Sequence, residues 1–60
     1  MKKKLIRVAN QIYVFEEKLQ RGENMAENME KMEEITNSLS QEDLWEVNKY
    51  LEEKMKRHPL

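Results

Sequence analysis

The clearest helix start in this sequence lies at Ser40, and it decides where the chain must reverse direction. A serine just before a helix can accept a hydrogen bond from the backbone N–H three residues on, here that of Asp43. The Asp43 carboxylate can accept from the Ser40 N–H in return, which completes a capping box. Leu39 and Leu44 occupy the two positions that pack together as a hydrophobic staple around such a cap. We therefore predict a last helix near residues 41–57, with the preceding chain folded back against it.

An apolar stripe predicts a first helix near residues 3–21. Successive members of the stripe lie three or four residues apart, as on one side of an α-helix in a coiled-coil-like seam. The stripe consists of Leu5, Val8, Ile12, Phe15 and Leu19. Ile6, Ala9 and Tyr13 widen it to about half the circumference, which suits a helix that packs against two neighbours. Val14 lies outside it and is expected to be exposed on its own.

The apolar stripe alternates intervals of three and four residues, but at Gly22 two three-residue intervals follow each other. Two structures explain this irregularity. A continuous helix would contain a stammer there, which rotates the following stripe by roughly a third of a turn. Alternatively the helix ends, because Gly22 suits the position just after a helix and Asn24 with Glu27 forms a second capping pattern. A break predicts three short helices, near 3–21, 25–37 and 41–57, whereas a stammer predicts one long helix and a short one. We favour the break.

The predicted middle helix is lined by Met25, Met29 and Met32. Methionine is flexible and packs adaptably, so a methionine stripe can line a binding groove. At helical spacing, however, such a stripe is typical of an ordinary core. We therefore expect these side chains to be core, with a partner-binding groove as the alternative.

Trp45 lies outside the apolar stripe of the last helix. That stripe contains Leu44, Val47, Leu51 and Met55, with Tyr50 on its flank. At about 100° per residue, Trp45 is more than a quarter-turn from the centre of the stripe. Tryptophan is costly to expose and common at binding hot spots, so this side chain either packs against a second helix or anchors a partner protein.

Composition favours an all-α fold in a single helical domain spanning residues 1–60. Only two positions are Gly or Pro, and helix-forming residues are abundant. We expect a small helical bundle, either a helical hairpin or three short helices with coiled-coil-like packing, with a break or stammer at 22–24 and a turn at 37–40. A chain of this size buries only roughly 60% of its unfolded surface, and this one has no cysteine for disulfides. Self-association through the first stripe, most simply as a dimer, would supply the missing stability.

Charge is strongly segregated along the chain, although the net charge is only −1. Residues 1–21 contain six basic and two acidic residues, a balance of +4. Residues 22–46 contain one basic residue and eight acidic ones, a balance of −7, and residues 47–60 return to +2. This layout favours antiparallel contact between unlike segments, within one chain or between two.

The sequence contains few histidine, carboxylate or nucleophile combinations with the spacing of known catalytic or metal sites. His58, the single histidine, lies at the end of the last helix without other metal ligands beside it. Four carboxylates in the middle of the chain are spaced three to four apart, which favours a solvated acidic face over a metal site because no histidine joins them. They belong to Glu23, Glu27, Glu30 and Glu34. With neither a Gly-rich phosphate loop nor a nucleophile paired with a histidine, we predict that the protein is not an enzyme and uses no cofactor or metal.

The start of the last helix resembles part of a known family. Ser40-Gln41-Glu42, followed by Val47-Asn48-Lys49-Tyr50, is similar to the Ser-Gln-Glu-Leu-Asp helix of the small helical-hairpin phosphatases that act on sporulation response regulators. Here Asp43 and Leu44 stand in the reverse order, which moves the carboxylate by about 100° around the helix. The acidic group on which that family depends would therefore point elsewhere, and we do not assign the chain to the family.

A basic cluster near the start of the chain is a candidate nucleic-acid contact, since lysine and arginine bind phosphates. It consists of Lys2, Lys3, Lys4 and Arg7. Nucleic-acid binding is nevertheless the second hypothesis, because the chain as a whole is slightly acidic. Arg7 and Asn10 also interrupt the apolar residues before a signal segment forms, so we expect a cytoplasmic protein without a membrane span.

These patterns favour a small non-enzymatic protein–protein interaction module, a regulator or inhibitor that self-associates and binds a partner protein of unknown identity. The candidate partner-binding residues are Trp45, Val14, Met25, Met29 and Met32. A nucleic-acid-binding dimer that uses the basic N-terminus and a structural subunit of a larger assembly are the alternatives.

Overall fold

A computed structural model of the chain describes residues 2–60, and these form three α-helices with no strand. The helices are α1 (Lys3–Gln20), α2 (Met25–Asn37) and α3 (Gln41–Arg57). The predicted all-α class is confirmed, and three short helices are present instead of one long helix followed by a short one. Met1, the first residue of the predicted domain, lies outside the described residues.

The end of α1 at Gly22 is a Schellman motif. Gly22 has a φ of 75°, a left-handed conformation that glycine adopts without steric cost. Its N–H donates to the Leu19 carbonyl at 3.0 Å, and the Glu23 N–H donates to the Lys18 carbonyl at 2.9 Å. This pair of bonds satisfies carbonyls that the helix end would otherwise leave unpaired. The break predicted at Gly22 is confirmed, and the stammer is excluded.

The cap predicted for α2 at Asn24 is not formed. Asn24 also has a left-handed backbone, with a φ of 42°, and its side chain makes no capping hydrogen bond. A capping side chain reaches the first helical amides from an extended backbone, so the left-handed conformation removes that geometry. Asn28 closes the turn in another way: its side-chain Nδ2 donates to the Glu23 carbonyl at 2.7 Å, a bond that satisfies a carbonyl of the turn and no amide of the helix start.

The predicted start of α3 is confirmed at Ser40. Its backbone is extended, and its hydroxyl oxygen accepts from the Asp43 N–H at 3.2 Å. Among the described residues only this half of the capping box is formed. Glu42 and Asp43 lie in the first turn and basic residues lie in the last, which also suits the helix dipole.

α1 lies at the centre of the structure and contacts both other helices, whereas α2 and α3 contact each other only weakly. The core is made of five buried side chains from α1 and α3, namely Leu5, Ala9, Ile12, Val47 and Leu51. Partly buried side chains around it are Val8, Tyr13, Met32, Ile35, Leu39 and Tyr50. The broad α1 stripe therefore packs against two neighbours, as its width predicts.

The face that α2 turns inward differs from the predicted methionine stripe. Asn28 is buried, and Met32 and Ile35 pack against the core. Met25 and Met29 are exposed, so the interpretation of these two as core is wrong. Asn28, Met32 and Ile35 are also three and four residues apart, so the spacing within α2 fits this side as well as the methionine side. Spacing alone therefore does not predict which of the two sides faces inward.

The segregated charges do not pair between helices within the described chain. Both of its ion pairs are local: Arg21 with Glu23 at 3.0 Å and Lys31 with Glu27 at 3.3 Å. The antiparallel pairing that the charge layout predicts within one chain is therefore not observed. None of the helices described is long and apolar enough to cross a membrane.

Candidate functional site

A ridge of four side chains runs along the side of α3 that points away from the core. They follow one another at intervals of four residues, which places them in one row on a helix surface. The row consists of Trp45, Lys49, Glu53 and Arg57, and we call it the tryptophan ridge. All four residues are exposed. The two largest buried side chains of α3, Val47 and Leu51, lie on the opposite side.

Trp45 is the most solvent-exposed large apolar residue among those described, with 59% of its surface accessible. It is not among the side chains that pack against the core. The Lys49 ammonium lies 4.4 Å from the centre of its ring, which is a cation–π contact on an exposed surface. Of the two alternatives for Trp45, packing against a second helix of the same chain is wrong.

A shallow groove of about 300 Å³ lies beside Trp45, and α3 alone supplies its walls. Its lining residues are Trp45, Glu46, Lys49, Tyr50, Glu53 and Arg57. Two aromatic rings, two cations and two carboxylates thus share one helix surface. Aromatic side chains within a polar rim are the combination found at protein–protein interfaces.

Two polar contacts fix α1 against the end of α3 next to this groove. The Lys54 ammonium donates to Asn10 Oδ1 at 2.6 Å and lies 4.7 Å from the centre of the Tyr13 ring. The Tyr13 hydroxyl donates to the backbone carbonyl of His58 at 2.8 Å. Sequence reasoning missed both contacts, because their partners are 44 and 45 residues apart and no local pattern links them.

These contacts shape a second, smaller cavity of about 160 Å³, lined by Tyr50, Lys54, Arg57 and His58. Tyr50 and Arg57 line both this cavity and the groove, so the two depressions adjoin each other. His58 is therefore placed at the edge of the candidate surface, where its backbone carbonyl serves a structural contact.

The other predicted partner-binding residues lie apart from this groove on other helices. Val14 on α1 is exposed, as predicted, and Met25 and Met29 on α2 are exposed as well. Met32 is partly buried against the core. The structure thus does not bring the five candidates together; only Trp45 lines the groove.

The stripe predicted for self-association is only partly enclosed within one chain. Leu5 and Ile12 are buried in the core, while Val8, Phe15 and Leu19 are partly buried. A second copy could contact Leu5 or Ile12 only if the α1–α3 contact opened. Val8, Phe15 and Leu19 are the members of the stripe that a folded copy could still offer to another copy, since they are only partly buried.

The basic cluster at the start of α1 is fully on the surface, with Lys2, Lys3, Lys4 and Arg7 all exposed. The first turn of α1 contains no acidic residue, so positive side chains stand beside the positive end of the helix dipole. Such an arrangement is unfavourable by itself, and an anion bound there would relieve it.

The acidic side chains of α2 lie on the surface. Within residues 2–60 no group of three or more His, Asp or Glu side chains is arranged so that it could hold a metal ion. Lys31 lies against Glu27, which further neutralises this face.

Comparison with known proteins assigns no relative. The chain matches no protein-family model, and neither a curated protein nor a solved structure matches it significantly.

Proposed function

We propose that this protein is a small non-enzymatic helical interaction module that acts as a regulator or inhibitor by binding a partner protein. The observation that supports this proposal is the exposure of Trp45, at 59%, on a helix face that is otherwise charged. A fully buried tryptophan removes roughly 150–250 Å² of surface from water. Leaving much of that area in solvent is a cost that a partner would remove.

The surroundings of Trp45 support the same function. Charges of both signs surround the ring, from Lys49, Glu53 and Arg57. They can pair with complementary charges on the correct partner protein and repel proteins that present like charges. Tryptophan and arginine are the residue types that most often dominate binding energy at interfaces. The tryptophan ridge is therefore the proposed contact surface.

Affinity capture from the native host, followed by mass spectrometry, tests this proposal. The immobilised wild-type protein is compared with Trp45→Ala and with Val14→Ala, which truncates another exposed apolar side chain on a different helix. We expect a defined protein to be retained by the wild type and by Val14→Ala and to be lost with Trp45→Ala. Circular dichroism of the three proteins controls for folding. Retention of the same proteins by all three would contradict the proposed surface.

A second candidate function is nucleic-acid binding by a dimer through the basic N-terminus. The exposed cluster at the positive end of α1 favours it, because phosphates would satisfy both the side chains and the helix end. Titration with duplex DNA at about 50 mM salt tests it, since phosphate contacts are strongest at low salt. Binding should weaken steeply as salt rises and after replacement of Lys3 and Lys4 with glutamine. A protein that does not bind at low salt removes this candidate.

A further inference from the structure

We propose that the tryptophan ridge binds the tryptophan ridge of a second copy of this chain, with the two α3 helices antiparallel. This inference rests on the proposed function, because it names an occupant for the same surface. It identifies a site of self-association that lies on α3 and leaves the core of each copy closed.

The order of side chains along the ridge is self-complementary when read in opposite directions. With the twofold axis at the level of residue 51, Lys49 stands opposite Glu53 of the second copy, and Glu53 opposite Lys49. Trp45 stands opposite Arg57 of the second copy, where the guanidinium can lie over the indole ring. Rows of side chains four apart are also the rows that interdigitate when two helices cross at about −50°.

Charges next to the ridge obey the same symmetry. Glu46 lies toward the start of α3, whereas Lys56 lies toward its end. The same register sets Glu46 opposite Lys56 of the second copy. Antiparallel contact therefore joins unlike charges along the interface, whereas parallel contact would place like charges together.

The size of the surface indicates a weak dimer. α3 has 17 residues and is about 25 Å long, so one of its sides buries less than the roughly 1,200 Å² typical of stable complexes. We expect a dissociation constant between about 10 µM and 1 mM at low salt, and a clear weakening at about 0.5 M salt, where exposed charges are screened.

Sedimentation equilibrium of charge variants tests the pairing. Lys49→Glu alone would place four carboxylates at the centre of the dimer, and Glu53→Lys alone would place four ammonium groups there. We expect each variant alone to associate at least roughly 10-fold more weakly than wild type, because attraction becomes repulsion on both sides of the axis. Mixing the two variants restores both unlike pairs, and association should return to within about threefold of wild type.

A matched pair of variants controls for net charge. Arg7→Glu and Glu33→Lys change the net charge from −1 to −3 and to +1, as Lys49→Glu and Glu53→Lys do, but lie on α1 and α2. Each control variant alone should associate like wild type. Equal weakening in both pairs, or no restoration when Lys49→Glu and Glu53→Lys are mixed, would overturn the proposed register.

The distance between two spin labels, one on each copy, shows whether the two α3 helices are antiparallel or parallel. The chain has no cysteine, and Gln41→Cys introduces one at the start of α3 without changing its charge. In the antiparallel dimer the two labels should be about 25–30 Å apart, whereas a parallel dimer would bring them within about 15 Å.

The two proposals fail separately. A wild-type protein that remains monomeric at about 1 mM and low salt overturns the dimer. If Trp45-dependent capture of a host protein is still observed, the proposed function stands without it. A dimer with the expected charge dependence but without Trp45-dependent capture would confirm this inference and remove the proposed partner.

Discussion

Replacing Trp45 with alanine should change the stability of the monomer little, although tryptophan is the largest side chain in the sequence. The ring is 59% exposed and does not pack against the core. Its contact with Lys49 is an exposed cation–π interaction, worth about 0.5–1 kcal/mol. Alanine regains part of that because of its higher helix propensity, by up to about 0.5 kcal/mol. The expected loss in the free energy of unfolding is therefore at most about 1 kcal/mol.

Leu5→Ala provides the comparison, because Leu5 is only 2% exposed and lies in the core. Truncation of a buried leucine to alanine costs about 2–5 kcal/mol. At about 0.05–0.15 kcal/mol per residue, a 60-residue chain has a total stability of about 3–9 kcal/mol. Leu5→Ala removes fewer atoms than Trp45→Ala. It should nevertheless remove a large part of the total stability, whereas Trp45→Ala should leave most of that stability intact.

Urea unfolding followed by the helical circular dichroism signal measures both effects. The experiment is run at about 0.5 µM protein, at least roughly 20-fold below the expected dimer dissociation constant, so that association does not contribute. A loss above about 2 kcal/mol for Trp45→Ala would show that the ring is part of the core and would refute the reasoning from its exposure. A loss below about 1 kcal/mol for Leu5→Ala would refute the assigned core.

Three further predictions concern the core and the helix ends. Ile12→Asp should cost several kcal/mol by burying an unpaired charge, whereas Val14→Asp should cost little, since these residues are 6% and 44% exposed; equal melting temperatures would disprove the assigned faces. Gly22→Ala should lower the free energy of unfolding by about 1–2 kcal/mol, because alanine disfavours the φ of 75°. An added Cβ meets no atom within 4 Å, so no steric clash adds to this cost. Gly22→Asn should cost less, since asparagine tolerates the left-handed conformation better. Ser40→Ala should cost about 1 kcal/mol in urea unfolding by removing the bond to the Asp43 N–H, while Ser40→Asp should retain the cap; identical values for the two would exclude a capping role.

Helix ends in this protein are predictable from the sequence where they depend on neighbouring residues only. Gly22 ends α1 because the left-handed position after a helix favours a residue without a Cβ. Ser40 begins α3 because its hydroxyl reaches an amide three residues away. The inward stripes of α1 and α3 also follow from spacing, since the phase within one helix is constant.

Properties that depend on how one helix is turned against another required the tertiary structure. Asn28 is buried and Met29 is exposed because of how α2 is turned against α1, whereas the residue spacing within α2 fits either side. The capping pattern at Asn24 gave a wrong prediction of a side-chain cap, because that cap requires an extended backbone and this turn has a left-handed one.

The candidate surface shows the same division. The sequence by itself determined that Trp45 lies off the apolar stripe of its helix, because that depends only on the 100° rotation per residue. Only the tertiary structure decided that no other helix covers Trp45, since α1 occupies the opposite side of α3 and α2 contacts α3 weakly. Spacing along one helix states which side chains share a face, whereas exposure depends on whether another part of the chain reaches that face.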